Sequence, residues 1–479
     1  MNGTRRFYVV AIILGSVISP GSNLFGQDAA LRTEVLTTLR DAASFYRQRV
    51  ASHGGYVYFY SHDLSRRWGE GVATADQIWV QPPGTPTVGM AYLKAYQATG
   101  ERIYLEAATA AAEALVYGQL ASGGWTNLVD FDPRSRRVAK YRNGRGGGKN
   151  NSSFDDGQSQ SALRLLINVD QALDFKQNSI HEAVQIGLEA VLGAQFPNGA
   201  FPQVWTGPVV AQPALKANYP GYDWRTEGRI KNYWDMYTLN DNVTGYIAET
   251  LIDAHRTYGE EKYLAALRRL GDFLVLAQMP EPQPGWAQQY NYAMQPIWAR
   301  KFEPPGVSGD ESQEVLETLM RIARVTADRK YLAPIPTALA WLKRSRLPDG
   351  QVARYYELKS NRPLYMTRRS DKYALTYDDS DLPKHYGWKT EARIADIEKQ
   401  HQALIAGAQL TVSTVAVRPS RREVRQILAT IDDRGRWFKT YNGERLVGQA
   451  KMPVGAKYLS SELFSRNLAI LSAFVGAPD

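Results

Sequence analysis

Residues Val243–Gln278 read VTGYIAETLIDAHRTYGEEKYLAALRRLGDFLVLAQ, and the spacing of their apolar residues decides the fold. Val243, Ile247, Leu251, Ala254 and Tyr258 recur at intervals of three and four, which puts them on one stripe of a helix. After the short break Gly259–Glu260, a second helix is expected over Glu261–Gln278. The same helix–turn–helix pattern recurs in Gly157–Phe175 with Ser179–Gln195 and in Ser312–Val325 with Ile335–Leu347. Further upstream, Leu31, Val35, Leu39, Ala42, Tyr46 and Val50 mark another stripe, and strand-like alternation is rare before residue 400.

Each second helix runs into a loop led by Gly199, Gly285 or Gly350. Those glycines are 86 and 65 residues apart, too irregular for a short solenoid repeat but suited to helix hairpins with variable insertions. The fold class expected is all-α: an α/α toroid, an incomplete helical barrel of helix hairpins. An open α-solenoid satisfies the periodicity equally well.

At 479 residues the chain has ample material for a large core. Residues 1–27 join Arg5 and Arg6 to the apolar run Phe7–Ile13 and a small-residue stretch, the pattern of a secretory signal peptide, with an apolar core too short to span a bilayer. Export to the periplasm or the extracellular space is therefore expected, with no membrane association after signal removal. The toroid is assigned to 28–390. A C-terminal extension, 391–479, is expected to carry a helix over Ala392–Leu410 and short strands within Leu428–Val447, as a small appended sheet or as a lid on the ring.

Removing the leader takes two of the 57 basic residues and none of the 48 acidic ones, leaving a net charge of +7. The Lys and Arg are scattered rather than massed in a tail, so an acidic polysaccharide fits better than nucleic acid for an exported chain. With no Cys, disulfides, thiolate metal sites and cysteine nucleophiles are excluded. The six His show no metal-ligand spacing, which argues against zinc.

The loop Gly285–Glu303, GWAQQYNYAMQPIWARKFE, gathers amides, indoles, cations and a carboxylate with almost no aliphatic filler. Shorter echoes stand at Gly123–Asn127, Gly199–Gln203 and Gly350–Arg354. In an up-and-down helix pair, the start of the first helix and the end of the second share one end of the pair. Asp155 and Asp156, Asp241, and Asp310 with Glu311 precede three successive first helices, so they are expected on the face that carries these loops. Each acid has an ordinary reading as a helix cap. Together with Gln203, Gln288, Gln289 and Arg300, some of them also suit a hard cation, and calcium best. Trp286 and Trp298 read either as core anchors or as platforms for a sugar ring. Arg300 reads either as a partner of Glu303 or as a bidentate grip on a uronate carboxylate.

Six segments complete this reading: FDDGQSQSALRLL (Phe154–Leu166), NGAFPQVW (Asn198–Trp205), YTLNDN (Tyr237–Asn242), GWAQQYN with WARKFE (Gly285–Glu303), DESQEVLETLM (Asp310–Met320) and WLKRSRLPDGQVARYYEL (Trp341–Leu358). In this order they resemble the motifs of the pectic acid lyases of polysaccharide lyase family ten, over about residues 90–390. The resemblance implies an α/α toroid and calcium-dependent β-elimination of polygalacturonate; a monomer is expected. It implies Asp155 and Asp241 as acids that bind calcium or line the catalytic subsite, and Arg300 as a ligand of the substrate carboxylate. Trp286, Gln288, Gln289 and Gln203 join Arg300 as expected substrate contacts.

The family's paired arginines, one of which serves as the proton-abstracting base, have no counterpart in DSDLPKHYGW (Asp379–Trp388). Three alternatives stay open: Lys384 as the base, His385 as the base because free imidazole titrates near neutrality, or a chain that binds pectic polymers without cutting them well. Arg368 and Arg369, just upstream in YMTRRSDK, are expected to hold substrate or, for Arg369, to contribute to the chemistry. A glycoside hydrolase using Asp155 and Asp241 as acid and base is the competing enzyme class.

Overall fold

The computed structural model describes residues 20–226, 231–370, 372–407 and 418–477. The expected signal peptide therefore lies for its greater part outside the described residues. Twelve α-helices are present among them: α1 (Pro20–Phe45), α2 (Thr85–Thr99), α3 (Arg102–Tyr117), α4 (Gln158–Ala172), α5 (Asn178–Gly193), α6 (Val243–Tyr258), α7 (Glu261–Leu276), α8 (Gly309–Thr326), α9 (Ile335–Arg344), α10 (Ile394–Ile405), α11 (Arg421–Leu428) and α12 (Ser461–Gly476).

Their packing makes an α/α toroid, with strands confined to short ladders. An inner row runs α12, α2, α4, α6, α8, α10, each helix against the next, while α3, α5, α7 and α9 pair with α2, α4, α6 and α8 to complete the hairpins. Two turns show why the hairpins close. Gly100 and Gly259 end α2 and α6 with φ near 72°, a left-handed conformation that costs glycine little and lets its N–H cap a carbonyl of the last turn. The segments TGERIYL (Thr99–Leu105), YGEEKYL (Tyr258–Leu264) and TADRKYL (Thr326–Leu332) repeat this turn, and each buries its tyrosine completely.

A second repeated device fastens neighbouring hairpins. Gln119 donates to the carbonyls of Gly123 and Ala183, Gln195 to those of Gly199 and Ala266, and Gln278 to those of Pro284 and Pro334. One glutamine amide thus ties each loop to the following hairpin, buried at Gln119 and Gln195 and half-buried at Gln278, while satisfying carbonyls that would otherwise lose their partners. The glycine loops therefore hang from the inner helix starts at a common end of the ring.

The C-terminal extension needs correction. Residues 457–476 are part of the ring: the strand Lys457–Ser460 pairs antiparallel with Phe59–Ser61, α12 packs on α2, and Phe464 stacks on Tyr46 at 3.8 Å. The buried stripe Phe464, Leu468, Leu471 and Val475 needed a partner and found it at the N-terminal end of the chain. The change of composition beyond Trp388 thus marks a change of local structure rather than the edge of the toroid. Within Leu428–Val447 only Lys439–Thr440 forms a ladder, with Tyr458 and Lys457, and Ile431 bridges Trp437.

Candidate active site

Two inner helices begin in the same unusual way. Before α4, Asp156 and Gly157 both have positive φ (47° and 71°), and before α6, Asp241 and Asn242 do too (51° and 56°). Such left-handed pairs are uncommon outside glycine, although Asp and Asn tolerate them best. Neither helix receives a side-chain cap hydrogen bond. The backbone takes a left-handed turn instead, and strained local geometry of this kind is a pointer to function.

The two turns touch each other, and one oxygen from each of Asp155, Asp156 and Asp241 lies within 4.8 Å of the others. Three carboxylates this close repel one another. Burial, then Asp241, pushes Asp155 up to about 6, against the opposing pull of a Gln203 hydrogen bond at 2.7 Å and of Arg300. The surrounding protein, then Asp241, Asp155 and Glu70, pushes Asp156 up to about 7, a shift tempered by the solvent that reaches this more exposed residue. Gln81 donates to Asp156 at 2.8 Å and Asn240 to Asp241 at 2.7 Å.

The fit to a hard cation can be judged from this donor set. All three carboxylates present oxygen, and the carbonyl oxygen Oδ1 of Asn240 is buried beside them without a hydrogen-bond partner. Oxygen ligands, excess negative charge and an unsatisfied carbonyl suit calcium rather than a transition metal.

Two arginines border the acids. Arg300 pairs with Glu303 at 2.5 Å and lies 3.9 Å from Asp241, yet its side chain remains 39% exposed toward the cleft. Burial drives Glu303 up, but hydrogen bonds and charge from Arg300, with help from Gln288, hold it below the ordinary carboxylate range. Arg354 is nearly buried, 2.6 Å from Glu311, 3.3 Å from Asp241 and 3.5 Å from Asp310, with its guanidinium 4.8 Å from the ring centre of Tyr386. Although burial opposes its charge, Glu311, then Tyr386, Tyr355 and Asp241, raise Arg354 well above the usual guanidinium value and keep it a cation.

A hydroxyl network backs the cations. The Tyr386 and Tyr355 hydroxyl oxygens lie 2.7 Å apart, with Glu303 3.1 Å from Tyr386 and the Gln288 carbonyl oxygen beside Tyr355 as acceptors. Beyond Phe302, whose ring centre lies 5.2 Å from the Arg300 guanidinium, stands His385, edge-on to Phe302 at 4.9 Å and 3.0 Å from the Tyr373 hydroxyl. Burial, then Arg368, Arg445 and Arg300, lowers the His385 imidazole and favours its neutral form near neutrality. Lys384 is exposed beside it, and Arg368, Lys384, His385 and Arg445 share one surface concavity. Arg369 is exposed at the tip of the hairpin formed by Pro363–Arg369 and Lys372–Thr376.

The structure thus brings Asp155, Asp241, Gln203 and Arg300 together, with Gln288 behind Glu303, and it sets His385 next to that group across Phe302. It withdraws Trp286 and Gln289 from substrate contact. Trp286 is 0% exposed and donates through its indole to Leu274, a core role that Trp125 duplicates with Leu115. Gln289 is buried on Tyr233 and Thr238. A loop rich in amides and indoles mixes groups that line a cleft with groups that anchor the loop, and composition does not separate them.

Arg354 and Tyr386 carry no expectation from the sequence, whereas Asp156 and Glu311 are expected on the loop face as helix caps or cation ligands and Glu303 as a partner of Arg300. One signal was present for Arg354. It stands two residues beyond the buried Val352, as Gln203 stands two beyond buried Phe201 and Gln288 two beyond buried Trp286. Asp156 lies in the same FDDG segment as Asp155, and its left-handed backbone, invisible in composition, is what aims it at Asp241.

The loop end of the helical toroid thus gathers acids, guanidinium groups and hydroxyls. The pectic acid lyase family model matches residues 131–353, the stretch that supplies Asp155, Asp156, Asp241, Arg300 and Glu311. No curated protein matches the chain. Among solved structures, the family 10 polysaccharide lyase from Cellvibrio cellulosa is similar at 20% identity, covering 65% of this chain and 94% of that one with a TM-score of 0.47. A mutant of that lyase in complex with trigalacturonic acid is similar at 18% identity over 68% and 97%, with a TM-score of 0.45. The cellobiose 2-epimerase from Spirochaeta thermophila is similar at 15% identity over 95% and 98%, with a TM-score of 0.46.

Proposed function

We propose that the protein is an exported pectate lyase that cleaves polygalacturonate by calcium-assisted β-elimination. The observation that carries this reading is the nest of Asp155, Asp156 and Asp241, with carboxylate oxygens within 4.8 Å of one another, beside the cations Arg300 and Arg354. The family match over residues 131–353 supports the substrate class.

In this reading Asp155, Asp156 and Asp241 hold the calcium ion, and the Asn240 amide N–H steadies Asp241 at 2.7 Å. Calcium, when bound, supplies positive charge that neutralises the uronate carboxylate and acidifies the proton on C5. Arg300, the more exposed guanidinium, pairs with that carboxylate, while Arg354 keeps Asp241, Asp310 and Glu311 fixed. Charge placed in advance where negative charge develops lowers the barrier without reorganisation during the reaction. The C5–H bond breaks with its proton passing to a base, the C4–C5 double bond forms, and the C4–O bond breaks with its oxygen taking up a proton.

His385 suits the base better than Lys384. Burial and three arginines favour its neutral imidazole, and its ring packs on Phe302, which also faces Arg300. Arg369 and Arg368 then contact the polymer on the rim.

The test is absorbance from unsaturated uronate during incubation with polygalacturonate across pH 7 to 10, with calcium and with chelator. Growth of that signal only with calcium is the expected result. Saturated reducing ends would select a hydrolase, and retention of pectin without any product would select a binding protein.

A further inference from the structure

Behind the acidic nest lies a cavity of about 580 Å³, within the ~300–1,000 Å³ usual for small-ligand pockets. It runs along the first three turns of four inner helices: Pro86 and Lys94 come from α2, Gln160 and Arg164 from α4, Tyr246 from α6, and Ser465 and Arg466 from α12. It therefore follows the axis of the ring from the end that carries the active site. Gly157, the neighbour of Asp156, lines its mouth against Tyr246, where an added Cβ would lie 3.3 Å from the tyrosine ring. Nest and pocket thus meet at one residue.

Two polar groups in the wall lack partners. Gln160 is 1% exposed and uses its amide N–H on the Phe154 carbonyl at 2.9 Å, which leaves Oε1 unsatisfied. Ser465 is 6% exposed, and its hydroxyl has no hydrogen bond. Buried acceptors and donors left open beside a cavity are costly unless something enters to meet them. The rest of the wall is mixed: Pro82, Pro86, Met90 and Ala91 are apolar, Thr87 and Ser161 are polar, Glu462 is paired with Lys439 at 3.0 Å, and Tyr246 is 36% exposed, so a ring face can stack there. Lys94 and Arg466 add positive charge, whereas Arg164 is occupied by Asp253 at 2.7 Å and by Glu249.

We propose that this axial pocket is a second saccharide site, which receives the end of an acidic oligosaccharide whose following residues cross the Asp155–Asp241 nest. The substrate class rests on the lyase reading; the pocket itself rests on the cavity and its two unsatisfied groups. Hydroxyls of the terminal sugar meet Gln160 and Ser465, its ring lies on Tyr246, and its carboxylate faces Lys94 and Arg466. Residues of α2 and α12 that build one wall fall outside the segment 131–353, so this pocket depends on how the two ends of the chain close the ring.

The experiment is calorimetric titration of the full chain with digalacturonate in chelator. Four proteins are compared: the wild type, Lys94→Glu/Arg466→Glu, Ala469→Phe to fill the cavity, and Asp155→Asn/Asp241→Asn. The expected result is binding to the wild type and to the nest variant, and affinity lowered tenfold or more in both pocket variants, each with an unchanged circular dichroism spectrum. Affinity within twofold of the wild type in the folded pocket variants, or no binding to the wild type at millimolar sugar, overturns the proposal. If the wild type binds at the pocket but releases no unsaturated product with calcium, the lyase reading fails and the pocket stands. If cleavage proceeds and the pocket variants bind like the wild type, the pocket fails and the lyase reading stands.

Discussion

The start of α8 and the starts of α4 and α6 occupy equivalent places in successive hairpins, yet they are built differently. At α8 the hydroxyl of Ser308 accepts from the N–H groups of Asp310 and Glu311, an ordinary cap on an extended backbone. At α4 and α6 no side chain caps the helix, two residues in a row take positive φ, and Asp155, Asp156 and Asp241 are thrown together. Where the acids serve the helix, as at α8, they are neutralised by Arg354. Where they do not, three carboxylates crowd within 4.8 Å of one another, and Arg354 reaches Asp241 as well, at 3.3 Å. Acidic residues before a helix thus divide into structural and chemical ones by the backbone that carries them.

The sharpest break in this comparison is Asp241→Asn. It should lower kcat on polygalacturonate by about 100-fold or more, because a positioned charge is lost from the reacting centre, while the melting temperature in chelator holds or rises as repulsion with Asp155 is relieved. Loss of stability with activity retained would assign Asp241 to the structural class.

Arg354→Ala tests the opposite side. Removing a nearly buried cation strands Glu311 and Asp241, and denaturant unfolding should show a loss of about 3–5 kcal/mol. An effect below about 1 kcal/mol would mean that these carboxylates are adequately solvated without it.

The pH dependence should separate the two regions next. Asp155 and Asp156 have native values raised to about 6 and about 7 from an ordinary 3.8, so between pH 4 and 7 the folded state holds protons that the unfolded chain has released. Stability in chelator should therefore fall as pH rises through that window and flatten above it. Calcium should add more to the melting temperature at pH 8 than at pH 5, since protons no longer compete. A calcium effect that is equal at both values would argue against the nest as its site.

The smallest effect is expected from Ser308→Ala, which removes a helix cap for about 1 kcal/mol. At the contrasting start, Asp156→Asn should fold as well as the wild type because Asn tolerates positive φ, whereas Asp156→Ala should cost about 1 kcal/mol more. Thermal melts of the three variants check both statements.

Much of this was legible in the chain. Val243–Tyr258 with Glu261–Leu276, and its counterparts, declared themselves through helical spacing and a left-handed turn, because both signals are local. That Asp155, Asp241 and Arg300 would share one end of the ring followed from hairpin topology. The fate of Trp286 did not: an indole in a glycine loop satisfies its N–H equally on a substrate or on the Leu274 carbonyl, and only the packing of α7 chose between them.

By itself, then, the sequence determined the run of hairpins, the family resemblance and the supply of acids and guanidinium groups at their loop ends. Tertiary structure alone decided that α12 would seal against α2, that Arg354 would span Glu311 and Asp241, and that Asp156 would turn toward its neighbours. The physical reason is range. Periodicity and turn chemistry act over a few residues, whereas burial, charge pairing and strain depend on groups that the chain separates by tens to hundreds of positions and only folding brings into contact.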